Sequence, residues 1–531
     1  MTDILIIGSG GAGLTAALEA KKHTNNVTVV SKTYPTASQT SQAQGGINGV
    51  LGNNDDTIQN HINDTLKSAH KIGDKETIEY MCQNSCNTIK WLDDIGVPFS
   101  RDKDNNIAVR SLGGASHKRA CYSSDYTGLK ILHTLYDNCI NDGIEFINEY
   151  MLLNFIVEDN MAKGITALNI ETSEVKQILA KSVIVASGGY AALYNNYTTN
   201  STATTGDCVY AALKAGCELA NMEYIQFHPT ALKDSCVLIS ESARGEGGYL
   251  VTKDGERFVD ELLPRDVVAR AIYKKIQDKQ EVYLDLRHLG IKKIKETMPQ
   301  EYDLALQFSN LKLDQDLIPI MPAAHYTMGG IKTDINGATN IKNLYAIGES
   351  SSNGVHGANR LGGNSLLEII TFGKRAAEAV CEQIQNIEQI ENKEYQIFKD
   401  DREFIDKLFE LPNEINFYDT KNSLGKLFYE NVGLYRDQEN LETAKEQIKV
   451  YISQLKNMGI DDKSKIYNTN LKEFLEVFNL LHLGEAVILS ALERKESRGA
   501  HYRTDYKNED SKYEKPTVIK NKESSIKVEL I

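Results

Sequence analysis

The chain lacks the sequence features of a metal-cluster protein or a membrane-spanning protein. Its eight cysteines contain no Cys-x-x-Cys pair, so they predict neither a metal-ligand set nor a disulfide framework but scattered reduced thiols. No stretch reaches the ~18 uncharged apolar residues that a membrane span requires. The best candidate, 474–492, is interrupted by Glu476, His482 and Glu485, and we expect it to be a buried helix. No signal peptide or twin-arginine leader is recognisable, which predicts a cytoplasmic protein.

The chain also lacks an excess of positive charge. Lys and Arg number 59 and Asp and Glu number 73, which gives a net charge of -14 and a pI near 5.4. This balance disfavours a nucleic-acid surface, whereas a small dianionic substrate stays compatible because local arginines can outweigh a distant global charge. With 531 residues, of which 41% are hydrophobic, the chain exceeds one compact core, and we expect roughly three structural units.

The N-terminal residues carry a βαβ dinucleotide pattern. An apolar run (ILII) precedes the glycine turn GSGGAG, a helical segment and a second apolar run. Gly8, Gly10 and Gly13 allow a tight turn and close approach of a pyrophosphate to the helix N-terminus. The acidic residue that usually ends the second strand is replaced by Ser31 and Lys32.

Two further strand-plus-glycine units occur far along the chain, at 182–189 and 344–349. Between the first two units, residues 151–179 alternate in short apolar and polar runs that predict a small antiparallel meander. This spacing predicts a nucleotide-binding domain that is interrupted by a large segment at 230–344, the insertion. From about residue 401 to 500 the pattern is helical, for example at 442–458 and 471–494, and the polar tail ends in a predicted short strand at 526–530.

Five segments combine polar chemistry with glycines. They are QFHPT (226–230), SESARGEGG (240–248), LPRD (263–266), HYTMGG (325–330) and HGANRLGGNS (356–365). Each alone is as compatible with a turn or a surface ion pair as with catalysis. Together with RKESRGAH (494–501), they resemble the flavoprotein subunits of fumarate reductase and succinate dehydrogenase, with L-aspartate oxidase as a near relative. The similarity runs from residue 3 to about 506, which leaves only the tail unplaced.

The resemblance implies an α/β fold, in which an FAD-binding Rossmann-like domain is interrupted by an α+β capping domain and followed by a C-terminal helical domain. The implied boundaries are 1–229 and 345–400 for the FAD-binding domain, 230–344 for the capping domain, 401–505 for the helical domain and 506–531 for the tail. The implied reaction interconverts fumarate and succinate by hydride transfer at flavin N5.

The resemblance also implies the roles of individual residues. The implied substrate clamp is His228, Ser240, His325 and Arg360. Arg265 matches the proton donor, with Glu241 and Arg244 as its relay. The implied FAD contacts are Gly8, Gly10 and Gly13, Ser31 and Lys32 near the adenosine end, Gln44, Gly45 and Gly46 at the isoalloxazine, Asp207 and Glu349 at the ribityl or pyrophosphate, and Arg360, Ser365 and Leu366 near the far side of the ring. Arginine is an unusual acid, but a relayed proton and a carbanion-like acceptor make the role tenable.

Two departures bear on the subtype. Membrane-bound members of this family attach FAD covalently through a His in a Ser-His-Thr motif, and the matching residue here is Gln39, so we expect non-covalent FAD. This favours fumarate reduction or aspartate oxidation over succinate oxidation. L-aspartate oxidases carry a Glu where this chain has Leu112, and an unpaired buried ammonium is costly, so Leu112 argues against aspartate.

The resemblance further implies partners and rivals. We expect an iron–sulfur subunit and, in a membrane complex, an anchor subunit that holds the protein at the inner face of the membrane, because the chain has no cluster-binding cysteine set of its own. L-aspartate oxidase is the alternative function. A flavin-binding module that has lost catalysis is a third reading, which the presence of His228, His325, Arg265 and Arg360 disfavours.

Overall fold

Strands and helices alternate through most of the chain in the computed structural model, which describes residues 2–522 and 525–531. The strands are β1 (Thr2–Ile7), β2 (Val27–Ser31), β3 (Ile47–Asn48), β4 (Val109–Arg110), β5 (Ala120–Cys121), β6 (Glu145–Asn148), β7 (Tyr150–Glu158), β8 (Met161–Asn169), β9 (Val175–Val185), β10 (Leu219–Ala220), β11 (Ile225–Leu232), β12 (Tyr249–Thr252), β13 (Val282–Asp285), β14 (Ile318–Thr327), β15 (Gly330–Lys332), β16 (Leu344–Ala346), β17 (Ser351–Ser352), β18 (Thr517–Lys522) and β19 (Ser525–Leu530). The α-helices are α1 (Gly11–Lys21), α2 (Ile58–Ser68), α3 (Lys75–Gln83), α4 (Ser85–Asp94), α5 (Thr127–Asn141), α6 (Asp207–Ala215), α7 (Glu241–Gly245), α8 (Arg265–Gln277), α9 (Gly290–Thr297), α10 (Pro299–Ser309), α11 (Asn364–Ile384), α12 (Gln396–Leu408), α13 (Phe417–Asn431), α14 (Gln438–Gln454) and α15 (Thr469–Glu493).

The largest sheet joins three segments that are distant in sequence. Its parallel part has the order β6-β2-β1-β9-β16. The three predicted strand-plus-glycine units are β1, β9 and β16, which lie next to one another, so this prediction is confirmed. Their apolar residues are buried because a parallel sheet is covered on both faces.

Strand β9 also belongs to the predicted meander. Its first half pairs antiparallel with β8, and β8 pairs with β7, whereas its second half pairs in parallel with β1 and β16. The meander predicted over 151–179 is therefore confirmed.

The insertion forms a separate layer with its own hydrophobic cluster. Strands β11, β14, β13 and β12 make an antiparallel sheet in that order, and helices α8, α9 and α10 accompany it. The cluster draws on residues between Leu232 and Ile320. Strand β11 runs through the predicted boundary at 229/230, so the backbone enters the insertion without a linker.

The C-terminal helices pack directly on the rest of the molecule. The helices predicted at 442–458 and 471–494 are α14 and α15, and one hydrophobic cluster includes Leu168 of the meander, Leu213 of α6 and Leu480 of α15. Among the residues that the structure describes, α15 alone is long and apolar enough to cross a membrane, and 72% of its apolar window is buried within the protein. That burial is typical of a core helix.

The tail folds back onto the body of the protein. Strands β18 and β19 form an antiparallel hairpin, and β18 pairs with β10. The strand predicted at 526–530 lies in β19. Thr517 Oγ1 donates to Glu223 Oε2 at 2.6 Å, and Glu223 Oε1 accepts from Arg494 Nε at 2.6 Å, so a buried ion pair helps to hold the tail.

Candidate active site

A single long cavity collects nearly all of the predicted site residues. Its empty volume, including the open mouth, is about 1670 Å³. Its lining extends from the glycine turn that follows β1 to the histidines of β11 and β14, so one cavity joins the predicted cofactor and substrate residues. The predicted residues that line it are Gly8, Gly10, Ser31, Lys32, Gln44, Gly45, Gly46, Asp207, His228, Ser240, Glu241, Arg265, His325, Glu349, Arg360, Ser365 and Leu366. Gly13 and Arg244 lie outside the lining.

The glycine turn is shaped by close backbone contacts. Gly8 has a φ of +108°, and a Cβ there would lie 2.3 Å from the carbonyl oxygen of Ala186. A Cβ at Gly13 would lie 1.9 Å from the carbonyl oxygen of Gly8. Gly13 therefore serves the packing of α1 on the turn, while Gly8 and Gly10 face the cavity.

The adenosine end predicted for Ser31 and Lys32 is built from hydroxyls and ion pairs. Ser31 Oγ lies 2.8 Å from Ser9 Oγ. Lys32 Nζ contacts Asp207 Oδ2 at 2.7 Å and Glu476 Oε1 at 2.9 Å. Burial opposes the charge of Lys32, but the two carboxylates outweigh burial and raise the pKa of its ammonium. The ammonium of Lys32 thus compensates the negative charge of Asp207, which would otherwise repel a bound diphosphate.

Several buried polar atoms in the cavity wall have no partner within the described residues. They include Ser38 Oγ, Gln44 Oε1 and Ser187 Oγ. Because an unsatisfied buried polar atom costs ~1–3 kcal/mol, such atoms indicate a polar ligand. The Glu349 carboxyl accepts from Thr327 N at 2.9 Å, and burial raises its pKa to about 7. These polar donors and acceptors fit a dinucleotide, the ligand that the glycine turn predicts.

The segment predicted to meet the isoalloxazine is held from behind by Arg110. The guanidinium donates from Nη2 to the carbonyl oxygen of Gln44 at 2.7 Å and from Nε to that of Gly45 at 2.8 Å. Nearby, Gln39 lines the cavity and its Oε1 accepts from Ser201 N at 2.9 Å. Arg110 thereby fixes the backbone of this segment.

Two histidines face each other at the other end of the cavity. The rings of His228 and His325 have centroids 5.0 Å apart. His228 Nδ1 accepts from Thr230 N at 3.2 Å, so its proton sits on Nε2, and His325 Nδ1 pairs with Thr199 Oγ1 at 2.8 Å. Burial, followed by neighbouring positive groups, lowers the pKa of both imidazoles well below the usual value. Both rings are therefore neutral hydrogen-bonding groups at neutral pH.

Gln226 holds two arginines side by side. Its Oε1 accepts from Arg265 Nη1 at 3.1 Å and from Arg360 Nη2 at 3.0 Å, and its Nε2 donates to Asn359 Oδ1 at 2.7 Å. The amide oxygen therefore offsets the repulsion between two buried guanidinium groups. Gln226 was not among the predicted site residues. Its one indication in the sequence is its position two residues before His228 in β11.

Arg360 is the more isolated of the two cations. Its Cζ lies 4.3 Å from the centre of the Tyr326 ring, its Nη1 donates to Ser365 Oγ at 3.2 Å, and its Nε has no partner in the described part of the chain. Burial, and then the charge of Arg265, lower its pKa to about 10, so it stays charged at neutral pH. An under-satisfied buried guanidinium is suited to a carboxylate ligand.

Glu241 connects the cavity to Arg244. Its Oε2 accepts from Arg265 Nη2 at 2.6 Å, and its Oε1 lies 3.4 Å from Arg244 Nη2. Burial would raise the pKa of this carboxyl, but Arg265 and Arg244 lower it below the usual value. The Glu241 carboxyl is closely surrounded by backbone. A Cβ at Gly113 would lie 2.4 Å from Glu241 Oε1, and a Cβ at Gly362 would lie 2.6 Å from Glu241 Oε2. The three ionisable groups form one chain that begins at the cavity.

Two further residues of the cavity wall lie near Glu241. Ser240 caps α7, since its Oγ accepts from Ser242 N at 3.2 Å. Leu112 is buried and lines the cavity, and a Cβ at Gly45 would lie 3.7 Å from Leu112 Cδ2 and 3.8 Å from Ser240 Oγ. The apolar Leu112 therefore lies beside the same segment as the predicted clamp.

Two family models and several known proteins match this chain. The family model described as FAD binding domain matches residues 3–366, and that described as fumarate reductase flavoprotein C-term matches residues 421–530, so the tail belongs to the family pattern. The chain is 36% identical to a succinate dehydrogenase flavoprotein subunit of Rickettsia bellii, with 96% of this chain and 91% of that protein covered. It is 34% identical to a fumarate reductase flavoprotein subunit of Haemophilus influenzae, with 96% and 90% covered.

A solved structure shows the same fold. A chain of an Escherichia coli quinol fumarate reductase superimposes with a TM-score of 0.94 at 33% identity, covering 100% of this chain and 96% of that one. Together with the family models, this confirms the α/β fold class and the FAD cofactor. The chain belongs to the family of FAD-dependent flavoprotein subunits of succinate dehydrogenase and fumarate reductase.

Proposed function

We propose that this protein interconverts fumarate and succinate and works chiefly as a fumarate reductase. The observation that carries the proposal is the pair of buried guanidinium groups on Gln226, with two neutral imidazoles lining the same cavity. A planar dianion with two carboxylates needs donors at both ends, and this arrangement supplies them. Bound FAD supplies hydride transfer at its flavin N5.

The substrate clamp in this proposal consists of Arg360, His228, His325 and Ser240. Arg360 has the free Nε and the permanent charge that one carboxylate requires. His228 presents an Nε2–H donor to the other carboxylate, because its Nδ1 already accepts from Thr230 N. Donors fixed in a water-poor pocket stabilise the charge that develops on the substrate during reduction.

Proton delivery in this proposal runs through Arg265. Its guanidinium lines the cavity and donates to Glu241 Oε2 at 2.6 Å. The proton that Arg265 gives to the substrate is then replaced through Glu241 and Arg244. Arg265 and Arg244 outweigh burial and lower the pKa of Glu241, so its ionised carboxylate pairs with Arg265 before each turnover. The same groups act in reverse when succinate is oxidised.

L-aspartate oxidation is the rival function, and Leu112 disfavours it. This apolar side chain lies beside Gly45 and Ser240, where an ammonium substrate would need an anion. The test is to add succinate or L-aspartate to separate samples of the oxidised holoenzyme without oxygen. We expect slow bleaching of the flavin absorbance by succinate and none by L-aspartate. Bleaching by L-aspartate alone would overturn the proposal.

We further propose that FAD is bound non-covalently. Gln39 faces the cavity with an amide that already accepts from Ser201 N, and an amide cannot form the histidyl bond of the membrane-bound relatives.

Acid precipitation tests the flavin attachment. We predict that the wild-type protein releases all of its FAD into the supernatant and that Gln39→His retains flavin in the pellet, because an imidazole at this position can form the bond. Gln39→Asn is the matched control and should release all of its FAD. Flavin retained by the wild-type pellet would contradict non-covalent binding.

Partners, location and domain division complete the proposal. The relatives are named as subunits, so we propose an iron–sulfur partner subunit and, in a membrane complex, an anchor that holds this protein at the inner, cytoplasmic face. We also propose an FAD-binding domain at 1–229 and 345–400, a capping domain formed by the insertion, a helical domain at 401–505 and a tail at 506–531. The separate hydrophobic cluster of the insertion supports that division.

A further inference from the structure

A second buried acid lies beside the helix that carries Glu241, outside the cavity lining. The Glu301 residue of α10 is 0% exposed, and its Oε1 accepts from Ser242 Oγ at 2.9 Å. Ser242 lies in α7 between Glu241 and Arg244. Glu301 Oε2 has no hydrogen-bond partner among the described residues. Helix α7 is therefore tied to α10 by one side-chain hydrogen bond.

Helix α10 also contacts the N-terminal part of the chain. Asp125, which is also 0% exposed, accepts through Oδ2 from Gln300 N at 2.7 Å and from Glu301 N at 3.1 Å. It thus caps the N-terminus of α10 across the boundary between the insertion and the segment that precedes α5. Two carboxyl groups meet in a buried space.

The proton count of this pair follows from its surroundings. Burial, and then the carboxylate of Asp125, raise the pKa of Glu301 well above the usual value, against the opposing effects of Ser242 and Arg110. Compared with a solvated glutamate, the neutral form of Glu301 is therefore favoured in the folded protein.

The other charged and titratable groups nearby lie on several elements. Arg110 belongs to β4, its Cζ lies 4.5 Å from the centre of the Tyr122 ring, and Glu246 also acts on its charge. Burial, and then the charges of Asp125 and of Asp303 in α10, raise the pKa of Tyr126. Arg110 opposes the raised pKa of Glu301, but its Nη2 and Nε already donate to Gln44 and Gly45. It compensates an ionised Glu301 only in part.

We propose that Glu301 is a positioning residue that, through its hydrogen bond to Ser242, fixes α7 with Glu241 and Arg244 against the helix that Asp125 caps. This inference rests on the proposed function, since Glu241 and Arg244 are its proton relay. Ionisation of Glu301 adds a negative charge beside Asp125 and disfavours the packing of α10 there, and the bond from Ser242, which favours the carboxylate, opposes this effect only in part. The neutral form is favoured in the folded state, so the stabilisation is complete at low pH and is lost as pH rises through the raised pKa of Glu301.

The pH profile of fumarate reduction tests the proposal. Glu301→Gln keeps an acceptor for Ser242 and places an amide donor toward Asp125, but it cannot ionise. We expect turnover close to that of the wild type where Glu301 is neutral, and no fall in kcat as the pH rises through the titration of Glu301. Asp303→Asn, on the same helix, is the matched control and should keep the fall that the wild type shows. A fall in Glu301→Gln identical to that of the wild type would overturn the proposal.

A second variant and a second readout keep the test decisive. Ser242→Ala should lower kcat about 2- to 10-fold with KM nearly unchanged, the effect of one lost hydrogen bond. Unchanged kcat in Ser242→Ala would overturn the link to α7. The unfolding temperature of the FAD-loaded proteins should fall as the pH rises above the usual pKa of a glutamate in the wild type, and less in Glu301→Gln. A wild type that reduces no fumarate at any pH would refute the proposed function, whereas this unfolding comparison would still decide the role of Glu301.

Discussion

Replacing Arg265 by alanine should lower fumarate reduction by roughly 10²–10⁴-fold while FAD stays bound. Positioned proton transfer contributes roughly 10²–10⁴-fold to catalysis, and Arg265 is the only group in the described structure that both lines the cavity and donates to Glu241 Oε2. The change also leaves Glu241 buried with one fewer cation. Steady-state turnover with a chemical electron donor measures the effect, and flavin absorbance after gel filtration measures FAD retention.

Two variants sharpen this prediction. Arg265→Lys should remain severely impaired, because an ammonium cannot reproduce the three hydrogen bonds to Glu241 and Gln226. Lys274→Ala removes an exposed cation from the same helix, so its turnover should match that of the wild type. Turnover within tenfold of the wild type in Arg265→Ala would remove Arg265 from the role of proton donor.

Replacing Arg360 by alanine should lower kcat/KM for fumarate by about 10²–10⁴-fold. Two charge-assisted hydrogen bonds to a carboxylate are worth roughly 3–6 kcal/mol, and Arg360 has a donor that no protein group satisfies in the described residues. The loss should fall on both KM and kcat, because the same contact binds the ground state and polarises the transition state.

The control for Arg360 is Arg375→Ala. Arg375 is a partly buried arginine of α11 that packs over the Tyr80 ring and donates to Asn336, outside the cavity. It should leave kcat/KM unchanged. Arg360 is also predicted to contact FAD, so flavin content is measured alongside. An Arg360→Ala protein that saturates with fumarate at the wild-type concentration would show that the clamp lies elsewhere.

Local patterns in the sequence predicted the framework of the fold. The apolar run before Gly8, the meander and the helices near 442–458 and 471–494 all follow from short-range periodicity, and each appears within a few residues of its predicted bounds. Seventeen of the residues for which the family resemblance implies a role line one cavity. Arg244 and Gly13 lie behind the lining, because each acts on another protein group and not on a ligand.

Contacts between distant residues were beyond the reach of such patterns. Gln226 bridges Arg265 and Arg360 across separations of 39 and 134 residues, and Ser242 meets Glu301 across 59. In sequence, no local pattern distinguishes Glu301 from a surface acid. Only the packing of α10 against α7 and Asp125 buries it. Pairings of this kind depend on tertiary structure, which single-sequence periodicity does not encode.

The most direct test of the proposed chemistry is an anaerobic reoxidation. The flavin of the purified protein is first reduced chemically, fumarate is added, and the flavin absorbance is followed with time. We predict rapid return of the oxidised spectrum with succinate as the product, and no return in Arg265→Ala on the same timescale. A reduced flavin that fumarate leaves bleached would contradict fumarate chemistry at this site.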